Sequence, residues 1–83
     1  MTKVIFRKFK QGGDIIALFP EQVNRLMVGS YMHVGQHSDA DYTGVIAATT
    51  PATESEYANL LAELKSIGYD DLQVMKRCKP KYN

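Results

Sequence analysis

Cysteine is nearly missing from this sequence. Cys78 stands alone, so no internal disulfide can staple the fold. The opening stretch Met1–Arg7 carries charge among its apolar residues and lacks the layout of a signal peptide. Both features point to a reducing, intracellular, cytoplasmic setting. Long apolar runs are missing too. The longest is Ile15–Phe19, far below the roughly 18 residues of a membrane span, so no membrane partner is expected. Net charge is only +1, which names no partner by bulk attraction. There is no nucleophile elbow, no glycine-rich phosphate loop and no P-loop. Repeats, linkers and low-complexity tracts are absent from the 83 residues. A chain of that length buries only about 60–65% of its unfolded surface. Residues 1–83 therefore read as one small α+β domain with a thin core.

What charge there is lies unevenly. Lys3, Arg7, Lys8 and Lys10 crowd the start, and Lys76, Arg77, Lys79 and Lys81 crowd the end, while the acids fall between. Were the two ends neighbouring strands, they would form one basic patch. The alternative is a solvated sheet edge kept soluble by lysines.

The elements follow from periodicity. Val4–Lys10 is rich in β-branched and aromatic residues. Gln11-Gly12-Gly13-Asp14 then separates it from the apolar run Ile15–Phe19. A glycine pair between two such runs predicts a β-hairpin, with Pro20 ending the second strand. Glu21–Gly29 has no clean period and reads as a loop or a short irregular turn. Ser30–Gly35 reads as a third strand, and Tyr42–Ala48 as a fourth strand or a continuation after a bend. Pro51 precedes Thr53-Glu54-Ser55-Glu56, a capping box. Tyr57, Leu60, Leu61, Leu64 and Ile67 then recur at helical spacing. The helix Glu54–Ile67 ends at Gly68, suited to a left-handed C-terminal cap. Leu72 and Val74 share one face of a last strand. The expected fold is a small, mostly antiparallel sheet with one helix packed on one face.

Alternation also assigns the two sheet faces. Val4 and Phe6 point one way, and Ile5 and Phe9 the other. Ile16 and Leu18 oppose Ile15, Ala17 and Phe19. One helix covers one face, so the second apolar face calls either for self-association or for cover by Val23, Leu26 and Met27 of the Glu21–Gly29 loop.

One segment concentrates chemistry. Tyr31-Met32-His33-Val34-Gly35-Gln36-His37-Ser38-Asp39-Ala40-Asp41-Tyr42 holds both histidines, two tyrosines and two carboxylates. Metal binding by His33 and His37 needs a helix or a turn at Gly35. On an extended backbone the two lie about 13 Å apart, and no cysteine completes a zinc set. No metal and no cofactor are expected. Acid–base work by His37 with Asp39 or Asp41 is conceivable, but a water-excluding site in so short a chain needs a second subunit, so an enzyme is the weaker reading. Ligand binding fits better. Tyr31 and Tyr42 would stack on a base, His33, Gln36, His37 and Asp41 would offer polar contacts, and Arg7, Lys8 or Arg25 would neutralise a phosphate. Against this, Ser38–Asp41 is good turn chemistry, and tyrosine and histidine often serve packing alone.

The sequence resembles a group of short proteins of tailed bacteriophages and prophages. The resemblance lies in Val4-Ile5-Phe6-Arg7-Lys8, Ala17-Leu18-Phe19-Pro20, Tyr31-x-His33-Val34-Gly35-Gln36-His37-Ser38, Ala40-Asp41-Tyr42, Pro51-Ala52-Thr53-x-x-Glu56-Tyr57 and Ile67-Gly68-Tyr69. It departs in Glu21–Gly29. The resemblance implies a source, and with it the host bacterial cytoplasm; analogy of source and size with other small phage proteins, rather than any motif, suggests a non-enzymatic accessory role, for example against host defence. The expected function is a self-associating protein that binds a small, phosphorylated, nucleotide-like ligand. The alternatives are an inhibitor that meets a host enzyme with its exposed sheet face, and a weak nucleic-acid binder using the basic ends. Aromatic interleaving there is thin, which disfavours nucleic acid.

The capping box gives a direct test. Thr53→Ala is expected to lower unfolding free energy by about 1 kcal/mol, measured by chemical denaturation.

Overall fold

The computed structural model describes residues 2–24, 27–32 and 36–76. Strand β1 (Thr2–Phe9) turns into β2 (Ile15–Asn24), followed by β3 (Met27–Met32) and β4 (Gln36–Ala40). Then come helix α1 (Tyr42–Ala48), β5 (Thr49–Pro51), helix α2 (Glu54–Ser66) and β6 (Leu72–Val74). The expected α+β class holds. The sheet order is β4-β3-β2-β1-β5, with β6 also on β1. All pairings are antiparallel except β1 with β6.

The β1–β2 hairpin turns at Gly12 and Gly13, with φ of 85° and 75°. Side-chain-bearing residues rarely adopt such angles. Phe9 N–H closes the hairpin on the Asp14 carbonyl at 2.8 Å.

Beyond Leu18 the second strand departs from expectation. Pro20 does not end it. β2 runs on to Asn24, and the register jumps from Phe19↔Gly29 to Val23↔Val28. Residues 20–22 interrupt the regular ladder there, and a break in the ladder is one of the few sheet positions that tolerates proline. Much of Glu21–Gly29 is therefore strand rather than loop. Ser38–Ala40, expected as a turn, belongs to β4, paired residue for residue with β3.

The edge of β1 opposite β2 is divided. Ala52 N–H donates to the Phe6 carbonyl at 3.1 Å, and Met75 N–H donates to the Val4 carbonyl at 2.8 Å. Carbonyls two residues apart on a strand point the same way. β5 and β6 thus share this edge, β5 beside Arg7–Phe9 and β6 beside Thr2–Val4.

Helix α2 behaves as its sequence predicts. The Thr53 hydroxyl accepts from Glu56 N–H while the Glu56 carboxylate accepts from Thr53 N–H, a complete capping box. At the other end Gly68 has φ 117°. Gly68 N–H bonds the Lys65 carbonyl and Tyr69 N–H bonds the Leu64 carbonyl, the paired bonds of a Schellman ending. Leu60 and Leu64 are buried against Val4, Phe6, Ala17, Phe19 and Tyr31, with Tyr57, Leu61, Tyr69 and Leu72 alongside. Ile67, expected at the end of the stripe, is 49% exposed. It is the C-cap residue, where the chain leaves the helix.

The second face overturns the one-helix expectation. Tyr42–Ala48 forms α1 rather than a strand, and Tyr42, Val45 and Ile46 pack over Ile5, Ile16, Leu18 and Val28. Their i, i+3, i+4 spacing makes one helical face, and that burial outweighs the local β preference of Val45 and Ile46. Phe9, Val23, Met32 and Met75 complete the layer. Of the residues offered as loop cover, only Val23 appears there, and Leu26 lies outside the described residues. Ile5 and Leu18 are 1% and 0% exposed within the single chain. An exposed apolar face, the ground for expecting self-association and for a sheet-face inhibitor, is therefore absent among the described residues. No described helix is long and apolar enough to cross a membrane.

Glu56 connects the cap to β1, its carboxylate 2.6 Å from Lys8 Nζ. Its pKa is lowered from 4.5 to about 2, first by the hydrogen bond from Lys8 and then by those from Thr53. A carboxyl whose folded pKa lies below its unfolded one adds stability above the unfolded value and loses it as pH falls toward the folded value. Melting temperature is expected to fall between pH 4.5 and about 2, and Glu56→Gln is expected to flatten that part of the profile, as read by circular dichroism.

Candidate functional site

Of the nine residues proposed from sequence, the five whose side chains are described, Arg7, Lys8, Tyr31, Asp41 and Tyr42, do not form one cluster. His33 and Arg25 lie outside the described residues. Gln36 and His37 are placed by backbone only, in β4 opposite Met32 and Tyr31. Tyr31 is 1% exposed and sits in the core under α2, its hydroxyl donating to the Glu63 carboxylate. Tyr42 packs on the opposite face of the sheet. The two tyrosines cannot flank one ligand. Asp41 is exposed at the N-cap position of α1, with Oδ2 over the backbone at Gly44.

The N-terminal cations make internal bonds. Lys3 is 3.7 Å from Glu21 and Lys8 is 2.6 Å from Glu56. Lys10 Nζ donates to the Ala47 carbonyl at 3.2 Å. Arg7, expected at a phosphate, is only 9% exposed. Its Nε donates to Thr49 Oγ1 at 2.9 Å, and its Nη2 donates to the carbonyls of Thr49 at 2.9 Å and Ile46 at 3.2 Å. Thr49 Oγ1 in turn donates to the Val45 carbonyl at 2.7 Å, and Lys10 N–H donates to the Ala48 carbonyl at 3.1 Å.

These bonds have a common purpose. An α-helix ends with four carbonyls that lack intrahelical partners. In α1 those of Val45, Ile46, Ala47 and Ala48 are all met, chiefly by Arg7, Lys10 and Thr49. Cations are also favoured at that end by the helix dipole. α1 has seven residues, too few to hold a helix without such support. Two cations from the basic start of the chain, Arg7 and Lys10, thus hold α1 to the sheet, a role the sequence reading did not assign to Arg7, which it offered to a phosphate. The partner carbonyls lie 39 and 42 residues away, with no local sequence signal.

The division of the β1 edge leaves a slot of about 1290 Å³. Pro51, Ala52, Thr53 and Glu54 form one bank, where β5 leaves for α2. Val74, Met75 and Lys76 form the other, where β6 departs. Between them lie Phe6 and Arg7. Tyr57 enters from the α2 side, stacked on Phe6 with ring centroids 4.4 Å apart. Tyr42 and Ile46 enter from the α1 side. The slot is a mainly apolar recess with aromatic walls, Arg7 at its floor and Glu54 and Lys76 at its rim, a common composition for a small-molecule site. Of the sequence-selected residues, Arg7 and Tyr42 meet here. Tyr57, Lys76, Glu54 and Phe6 were not selected, because only the parting of β5 from β6 brings them together.

The described residues hold no group of three or more metal-ligating side chains. Comparison with protein-family models, curated proteins and solved structures gives no match to this chain.

Arg7 is the point at which the support of α1 can be tested. Arg7→Leu removes the donors to buried carbonyls and is expected to cost about 3 kcal/mol, measured by urea denaturation. Arg7→Lys should recover only part of this loss, because an ammonium cannot reproduce the planar fork. Unchanged stability in Arg7→Leu would show that α1 is held by packing alone.

Proposed function

We propose that the protein is a non-catalytic binding module that takes a small, phosphorylated, nucleotide-like ligand in the slot at the divided edge of β1. The observation that carries this reading is the meeting of Arg7 and Tyr42, selected on chemistry from distant parts of the sequence, in one recess with Tyr57 and Lys76. Tyr42 supplies a face for a flat ring. Lys76, exposed at the rim, supplies a point charge for phosphate. Arg7 contributes positive potential from the floor while its donors hold α1.

The lining favours capture over conversion. Among the described lining residues Glu54 is the single carboxylate, and none is a histidine or a cysteine. A hydrolytic acid–base pair would need a second group of that kind. The resemblance to short phage proteins suggests the setting, an accessory protein that sequesters a host nucleotide rather than degrading it. The alternative of an inhibitor using a sheet face has lost its surface to α1 and α2. The nucleic-acid alternative is weakened by the internal partners of Lys3, Lys8 and Lys10.

The test uses adenosine monophosphate and a cyclic dinucleotide as probes in thermal melting and isothermal titration. A bound probe raises Tm in proportion to RT ln(1 + [L]/Kd). Lys76→Glu should leave the melting of the free protein unchanged and weaken binding by about tenfold, the effect of roughly 1.4 kcal/mol. No shift with either probe, or equal affinity in Lys76→Glu, would overturn the assignment.

A further inference from the structure

The two ladders that flank β1 stop short of each other, and one backbone donor falls between them. Along this edge the N–H and C=O groups of Val4, Phe6 and Lys8 face away from β2. Pairing with β6 ends at Val4↔Val74, where Met75 N–H donates to the Val4 carbonyl at 2.8 Å. Pairing with β5 ends at Arg7↔Pro51, where Ala52 N–H donates to the Phe6 carbonyl at 3.1 Å. One more step of either ladder would bring an acceptor to the Phe6 N–H: the Met75 carbonyl from the β6 side, or the Ala52 carbonyl from the β5 side. Neither step is taken, so among the described residues this N–H has no backbone acceptor. Phe6, Ala52 and Met75 all line the slot, and Phe6 is buried. Buried backbone donors are almost always matched. A slot ligand that reaches the floor therefore gains by placing an acceptor there, and one without an acceptor loses the bond that solvent would make.

The same bank carries an acceptor. Glu54 lies two residues beyond Ala52, exposed at the rim. Glu56 is bound to Thr53 and Lys8, and Glu54 takes no part in those bonds. A carboxylate accepts through two oxygens and donates nothing. We infer that the slot selects guanine among the nucleobases, with Phe6 N–H donating to the ring carbonyl at O6 and the Glu54 carboxylate accepting from the ring N1–H and the 2-amino group. The inference rests on the nucleotide reading of the slot. Guanine alone among the common bases sets two donors side by side next to an acceptor. Adenine and cytosine place one amino group beside a ring nitrogen, whose lone pair would face the second carboxylate oxygen. Uracil offers a single N–H between two carbonyls. Stacking on Tyr42 and the phosphate contact of Lys76 serve any base equally, so the donor on the floor and the carboxylate at the rim are what discriminate.

The test compares guanosine, adenosine and inosine monophosphates by isothermal titration. The inosine probe keeps O6 and N1–H but lacks the 2-amino group. Guanosine monophosphate is expected to bind about tenfold tighter than adenosine monophosphate, with the inosine probe between them. Glu54→Gln puts an amide, both donor and acceptor, at the rim. It is expected to reverse the order of guanine and adenine, since an amide matches the adenine edge. Thermal melting checks that the variant folds, and the comparison of probes on the unaltered chain stands without it. NMR of the backbone amides reads the floor: Phe6 N–H should exchange with solvent faster than those of Val4 and Lys8 in the free protein, and become protected with guanosine monophosphate. Equal affinity for the guanine and adenine probes, an unchanged preference in Glu54→Gln, or a Phe6 amide already as protected as its neighbours would each overturn the base assignment and leave the slot a nucleotide site. Failure of all three probes to bind would overturn the nucleotide reading itself, and this inference with it.

Discussion

The Arg7–Thr49 contact is the constraint on which the layered arrangement depends. Arg7 belongs to β1, Thr49 opens β5, and between them they satisfy the Val45 and Ile46 carbonyls of α1 while Arg7 also bonds the Thr49 carbonyl. One guanidinium therefore fixes a strand, its neighbour and the helix over them. Without it α1 would be a seven-residue helix with carbonyls open to competition from water. Removing α1 would in turn uncover Ile5, Ile16 and Leu18. Burial of that face follows from polar contacts at its border as much as from apolar contacts within it.

The parts legible in the sequence were those governed by local rules. Val4 and Phe6 against Ile5 and Phe9 gave the two faces of β1 correctly, because side chains on a strand alternate whatever it pairs with. The Thr53–Glu56 capping box and Gly68 set the limits of α2 because capping acts over three or four residues. Features set by distant partners were not legible. Val45 and Ile46 favour strand locally, and only the waiting face of Ile5, Ile16 and Leu18 makes them helical. Pro20 stops a regular ladder, yet a shift of register allows β2 to continue.

The candidate site shows the same division. Arginine and tyrosine were selected for chemistry that each could perform, but function depends on where the donors already point. Tyr31 is committed to Glu63 and Lys8 to Glu56, across 32 and 48 residues, and neither partner could be assigned from spacing. Tyr57 was read as part of a helical stripe. Its stacking on Phe6 makes it both core and slot wall, a dual role common where a site opens directly from a thin core.

The divided edge of β1 also governs the order in which the protein can be completed. Its first strand is synthesised before the other strands of the sheet, but Thr2 meets Asp71 across 69 residues. During synthesis β1 can pair early with β2, through a hairpin with local contacts. Its other edge stays open until β5 and, much later, β6 arrive. A nascent chain of this kind carries an exposed strand edge until those strands emerge, the form of intermediate that chaperones engage. Closure of the sheet and creation of the slot are the same late event, so a slot ligand would meet only chains whose sheet is already closed.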